Sequence, residues 1–194
     1  MLVGTSLKAN IFQFDIPTIS NSFLIIKTEV AMTFTQSNDQ NISQHVQAIQ
    51  KLDVDDQLAL FYFIYKEMGD SVTPAAPGAS TASADIAEGL FNQFKEMPHE
   101  QQLQLQRDLI NKADNEYTRM YGSMSDTTKL LFWYRLSQGM DNGTIIPMPA
   151  GYELSSQSQE ILNQIKAIDF EQQITLFRDY VGPMGAEPAP GAEV

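Results

Sequence analysis

Eight consecutive residues, Leu58-Ala59-Leu60-Phe61-Tyr62-Phe63-Ile64-Tyr65, leave the segment that carries them little choice of environment. Asp53 stands where a helix cap belongs, Asp55 and Asp56 fill the first turn, and Gly69 follows Met68 as a stop. The segment reads as a helix that is apolar all round, and such a helix is buried on most sides. A chain built around it must supply several neighbours.

The neighbours are also helical in pattern. Val46, Ile49 and Leu52 recur at three-residue spacing ahead of the apolar block. Residues 69–83, rich in Pro, Gly and Ser, read as a loop. A helix is predicted over about 84–96, with Ile86, Leu90, Phe91 and Phe94 on one side. Pro98 suits the first turn of the next, which runs to about Lys112. A short helix over 114–121 and a long one opened by Ser125 through Met140 follow. Asn142-Gly143 breaks the chain, and Pro147 and Pro149 keep it extended to Leu154. Ser156 with Gln159 and Asp169 with Gln172 read as capping boxes for two last helices, the second ending near Val181. No strand pattern is present after Met32. The fold class is all-α, and the short connections favour bundles.

Residues 1–31 mix β-branched and aromatic residues without a period, and Met32 offers a second start. They are expected to be a non-native or flexible extension. The helical domain then covers 32–181, and the Gly/Pro/Ala/Glu composition of 182–194 predicts a disordered tail. No stretch approaches a membrane span, and no secretory leader is recognisable. Twelve Lys and Arg against 24 Asp and Glu give a net charge of −12, which argues against nucleic acid and anionic membrane surfaces. The chain has no cysteine, which excludes thiolate catalysis and Cys-based metal sites.

Nothing in the sequence assembles a catalytic site. His45 and His99 are the two histidines, neither in a metal-ligand spacing, and no nucleophile elbow or phosphate-binding Gly loop occurs. No enzyme is expected. What stands out is aromatic. Leu130-Leu131-Phe132-Trp133-Tyr134-Arg135-Leu136 carries the one Trp. Rings at helical spacing are usually core, but Tyr62, Tyr65 and Tyr134 each bring a hydroxyl that needs a partner when buried. The alternative is a ring-lined cleft suited to a flat conjugated ligand. The stretch Ile145-Ile146-Pro147-Met148-Pro149-Ala150-Gly151-Tyr152 is unusually apolar for a loop and covers either core or a pocket. Arg178, among apolar neighbours, reads as a snorkelling or ion-paired side chain.

Six short runs extend this reading. Asp56-Gln57-Leu58-Ala59-Leu60, Glu67-Met68-Gly69, Ala75-Ala76-Pro77-Gly78-Ala79, Phe132-Trp133-Tyr134-Arg135-Leu136, Pro149-Ala150-Gly151-Tyr152 and Gln172-Gln173-Ile174-Thr175 occur in this order in the orange carotenoid proteins of cyanobacteria. Over roughly 32–185 the chain resembles the N-terminal half of that family, as a single-domain helical carotenoid protein. The resemblance implies two interleaved four-helix bundles with a keto-carotenoid, such as canthaxanthin or echinenone, in the seam, and a chloride ion as a further ligand. It implies that Tyr65 and Trp133 pack around a terminal ring, with Tyr62 standing where the family commonly has Trp. Leu58, Phe61, Tyr134, Ser137, Met140, Met148, Pro149, Tyr152, Ile174, Thr175 and Val181 would line the polyene. Asp55 and Arg178 would sit near the mouth.

The implied function is photoprotection by quenching singlet oxygen, without a light switch of its own. The family's phycobilisome docking, and exchange of pigment with a C-terminal-type domain, are alternatives. A helical scaffold with a merely aromatic core is the contrasting class. The implied location is the cytoplasm, with association at phycobilisomes on the cytoplasmic face of the thylakoid membrane left open.

Overall fold

The structure is a computed structural model of the 194-residue chain, and it describes residues 40–69 and 81–188. The expectation for 1–31 lies outside the described residues. Among these residues there are eight helices and no strand. They are α1 over 40–50, α2 (Val54–Met68), α3 (Thr81–Glu96), α4 (His99–Asn111), α5 (Glu116–Gly122), α6 (Asp126–Asn142), α7 (Ser156–Ala167) and α8 (Phe170–Val181).

Local chemistry sets most of the boundaries. The Asp53 carboxylate accepts from the Asp56 N–H at 3.2 Å and opens α2. Ser125 does the same for α6, where Gly143, at φ 79°, takes the left-handed conformation that ends the helix. Asp169 and Gln172 form the expected reciprocal capping box of α8. Several boundaries differ from expectation, α5 starting at Glu116 rather than Asp114 and α6 running on to Asn142 among them. The cap of α7 is Ser155, whose hydroxyl accepts from the Ser158 N–H, one residue before the expected Ser156. Helix α3 begins at Thr81 rather than near Ala84, and Pro98 occupies the cap of α4 rather than its first turn.

Packing groups the helices in a way that alternates along the chain. Helix α2 lies against α4 and α7, while α6 lies against α3 and α8, and the short α5 bridges α4 and α3. This is the interleaving expected of the fold class. Helices α2 and α6 face each other across the middle, with the Phe61 and Trp133 ring centroids 5.3 Å apart. Leu60, Leu90, Phe94, Leu109, Phe132, Leu136, Ile165 and Leu176 are fully buried around that axis.

The tail expectation is corrected over 182–188. The Gly185 N–H donates to the Leu109 carbonyl at 2.8 Å and the Ala186 N–H to the Thr118 carbonyl at 3.1 Å. The Lys129 ammonium, itself buried, donates to the Gly182 carbonyl at 2.5 Å. Composition predicts disorder here, but backbone bonds need no particular side chains, and Gly122 makes room for them. A Cβ on Gly122 would lie 1.9 Å from the Ala186 carbonyl oxygen.

Candidate functional site

One stripe of α2 organises the site. Asp55, Leu58, Phe61, Tyr65 and Met68 follow each other at helical spacing, so the stripe spans about 20 Å along the axis. Two cavities lie against it, on either side of a closed constriction. The first, of about 180 Å³, is walled by Leu58 and Ala59 of α2, Leu103 of α4, Met140 of α6 and the loop residues Ile146, Pro147, Met148, Pro149 and Tyr152. The last, of about 40 Å³, is almost wholly apolar and is walled by Phe61, Tyr65, Met68, Leu130, Tyr134, Ile174 and Phe177. Between them the walls of Gln57, Leu58, Phe61, Ile110, Trp133, Tyr180 and Met184 close until no water-sized void remains. Leu58 lines both the wide cavity and the constriction, and Phe61 both the constriction and the narrow cavity. The arrangement is a pinched tunnel between the two groups of helices.

Hydrogen bonds hold the rings of the constriction. Tyr121, fully buried, donates to the Val181 carbonyl at 2.9 Å and accepts from the Trp133 indole N–H at 2.9 Å. The Tyr180 hydroxyl donates to the Gln57 side-chain oxygen at 2.9 Å, and the Gln57 amide donates to the Leu52 carbonyl at 2.8 Å. Burial pushes both phenols, Tyr121 and Tyr180, well above the ordinary value of 10.0. They stay protonated donors at any ordinary pH. At the narrow end Tyr65 and Tyr134 meet edge to face, with centroids 5.4 Å apart.

The wide end is polar at its rim. The Arg107 guanidinium donates to both carboxylate oxygens of Asp55, at 2.7 and 2.8 Å, and these bonds hold the Asp55 carboxyl below its usual range. The loop that walls this end is fixed by a buried amide. Gln102 donates to the Phe94 and Met97 carbonyls and accepts from the Ile146 N–H at 2.6 Å.

Of the residues expected at the site, Asp55, Leu58, Phe61, Tyr65, Trp133, Tyr134, Met140, Met148, Pro149, Tyr152 and Ile174 line these cavities. Tyr62, Ser137, Thr175, Arg178 and Val181 do not. The Tyr62 hydroxyl donates to Asp141, which also pairs with Lys66 at 2.7 Å. Ser137 bonds back to the Trp133 carbonyl, and Thr175 to that of Glu171, each within its own helix. Val181 is core and offers its carbonyl to Tyr121. Arg178 is half-buried, with an Nε that has no hydrogen-bond partner among the described residues, and Arg107 takes the position at the rim beside Asp55.

Sequence reasoning missed Gln57, Ile110, Tyr180 and Met184 at the constriction, and Gln106 and Arg107 at the rim. A buried Gln beside an apolar run was a usable signal for Gln57. Among the described residues no cluster of three or more His, Asp or Glu is placed to hold a metal, and no helix is long and apolar enough to cross a membrane.

Residues 35–187 match the family described as orange carotenoid protein, N-terminal. The chain belongs to this family. An orange carotenoid-binding domain-containing protein of Nostoc sp. is 42% identical over 161 residues, covering 83% of this chain and 93% of the relative. The orange carotenoid-binding protein of Synechocystis sp. is 44% identical over 135 residues, and the chain spans only 42% of its length. Among solved structures, the Red Carotenoid Protein of Anabaena (Nostoc) sp. PCC 7120 binding canthaxanthin is 69% identical. It superposes with a TM-score of 0.66 over 75% of this chain and 99% of its own. The same protein binding a mixture of carotenoids is 66% identical at the same TM-score.

Proposed function

We propose that this protein binds a carotenoid, a keto-carotenoid such as canthaxanthin, along the α2 tunnel. The observation that carries the reading is the succession of a wide cavity, a closed constriction and a narrow cavity along one helix stripe, with apolar walls and rings at the constriction and the narrow end. A globular pocket would suit a compact ligand, whereas a stripe of about 20 Å suits a rod. The edge-to-face pair Tyr65 and Tyr134 presents flat ring surfaces to one cyclic end group. Phe61 and Trp133 lie beside the polyene. Met140, Met148 and Pro149 form a soft wall for the other end, where a pigment longer than the stripe emerges past Asp55 and Arg107. The solved relative at 69% identity, named as binding canthaxanthin, supports the choice of ligand.

The function that follows is photoprotection. The low-lying triplet of a long polyene takes up the excitation of singlet oxygen, and the protein supplies solubility, shape and access. Production in a host that makes canthaxanthin tests both halves of the reading. The purified protein should be orange to red and should shorten the lifetime of singlet-oxygen phosphorescence relative to the colourless form. A colourless protein from a pigmented host refutes the binding. A coloured one that leaves the lifetime unchanged refutes the photoprotective role.

A further inference from the structure

A rod with cyclic ends can thread the tunnel only if the constriction gives way, so the softest wall there sets the rate of loading. This inference rests on the carotenoid reading above. Most of the constriction is tied. Gln57 and Tyr180 bond to each other, and Trp133 bonds to Tyr121. Phe61 is wedged among the rings of Trp133, Phe177 and Tyr180, at centroid distances of 5.3 to 6.3 Å. Leu58 and Ile110 are branched side chains fixed on α2 and α4.

Met184 differs in both respects. Its side chain is unbranched, with three rotatable bonds and a polarisable sulfur. It hangs from the strap over 182–188 rather than from a helix. The strap backbone is clamped on both sides of it, by Lys129 on Gly182 and by the bonds of Gly185 to Leu109 and Ala186 to Thr118. The side chain can therefore swing while its backbone stays in place.

We propose that Met184 is the gate of the tunnel. Its side chain yields to a conjugated polyene during loading, and the clamped strap returns it against the seated ligand. The gate governs the passage of a ring more than the final affinity.

The test follows uptake by pigment-free protein from vesicles carrying canthaxanthin, through the change in absorbance. Met184→Ile keeps the bulk but stiffens the side chain at its first bond. It should load about tenfold more slowly, the effect of about 1.4 kcal/mol on a barrier. Met184→Ala should load faster than the parent. Both should reach the parent's final absorption spectrum. Leu162→Ala, a core truncation on α7 away from the tunnel, should lower the thermal midpoint without speeding uptake. Parent-like rates for both Met184 variants overturn the gate, as does Leu162→Ala loading as fast as Met184→Ala. A parent protein that takes up no pigment overturns the carotenoid reading itself, and the gate with it.

Discussion

Tyr121 is the residue whose loss most directly tests how the tunnel is held in shape. Replacing it with Phe removes one oxygen from a fully buried position and leaves the ring in place. Two partners feel the change. The Val181 carbonyl keeps a second donor, the Met184 N–H at 3.2 Å, so it is not orphaned. The Trp133 indole N–H has no such reserve: its partner is the Tyr121 oxygen, and Trp133 is 3% exposed. A buried donor left without a partner costs about 1–3 kcal/mol. With about 2 kcal/mol as the central value, the thermal midpoint of a domain this size should fall by about 4–8 °C. Urea unfolding followed by far-ultraviolet circular dichroism, a probe that Trp133→Phe leaves intact, gives the free energy directly. A double-mutant cycle with Trp133→Phe isolates the bond. The double variant should be less destabilised than the two single variants added together, by about 1 kcal/mol. Tyr121→Phe within about 0.5 kcal/mol of the parent, or an additive double variant, would refute the reasoning.

Three further outcomes are expected. Tyr121 and Tyr180 keep their protons in the folded state above the ordinary phenol value of 10.0, while the unfolded chain releases them. Stability is therefore intact below that pH and falls above it, by about 1.4 kcal/mol per pH unit for each group. Lys129, held below its ordinary value of 10.5 by burial, works in the opposite sense up to that pH. Denaturant titrations at stepped alkaline pH check this, and Tyr180→Phe should flatten the decline. Bound carotenoid should raise the thermal midpoint, since a ligand at a hundred times its Kd adds about 2.7 kcal/mol. Equal midpoints with and without pigment in calorimetry would contradict the tunnel as its seat. Gly122→Ala should expel the strap, because the new Cβ meets the Ala186 carbonyl oxygen at 1.9 Å. Limited proteolysis should then cut within 182–188 while helicity is retained, and an uncut strap would show that it has another hold.

Much of the fold was legible because helix ends and buried faces are local signals. Asp53, Ser125 and Asp169 are caps that need only their own next three residues. The capping box of Asn115 with Thr118 is equally local and was overlooked, because Thr is not the usual partner at that position. The aromatic lining was legible for the same reason: Phe61, Tyr65, Trp133 and Tyr134 sit in two conspicuous runs. What fixes those rings was not. The bonds of Tyr121 to Val181 and Tyr180 to Gln57 join positions 60 and 123 residues apart, and no pattern along the chain announces them. Arg107 at the rim was missed because an Arg among polar residues of α4 looks like any solvated side chain, whereas Arg178, in an apolar run, drew attention. The strap was misread because composition registers side chains, and its hold is made by backbone.

The loop that walls the wide end has an uneven stiffness. Gln102 and the Gly139 carbonyl grip it at Ile146 and Ile145. Past that grip come Pro147 and Pro149, which have no N–H to donate. The Pro149 carbonyl accepts from the Tyr152 N–H at 3.1 Å within the loop, and Tyr152 packs on Phe63, so the stretch past the grip is held by its far end and not by backbone donors of its own prolines. The wall of the wide end is thus anchored chiefly at its start, at Ile145 and Ile146, whereas Trp133 and Tyr180 of the constriction are each braced by a side-chain bond.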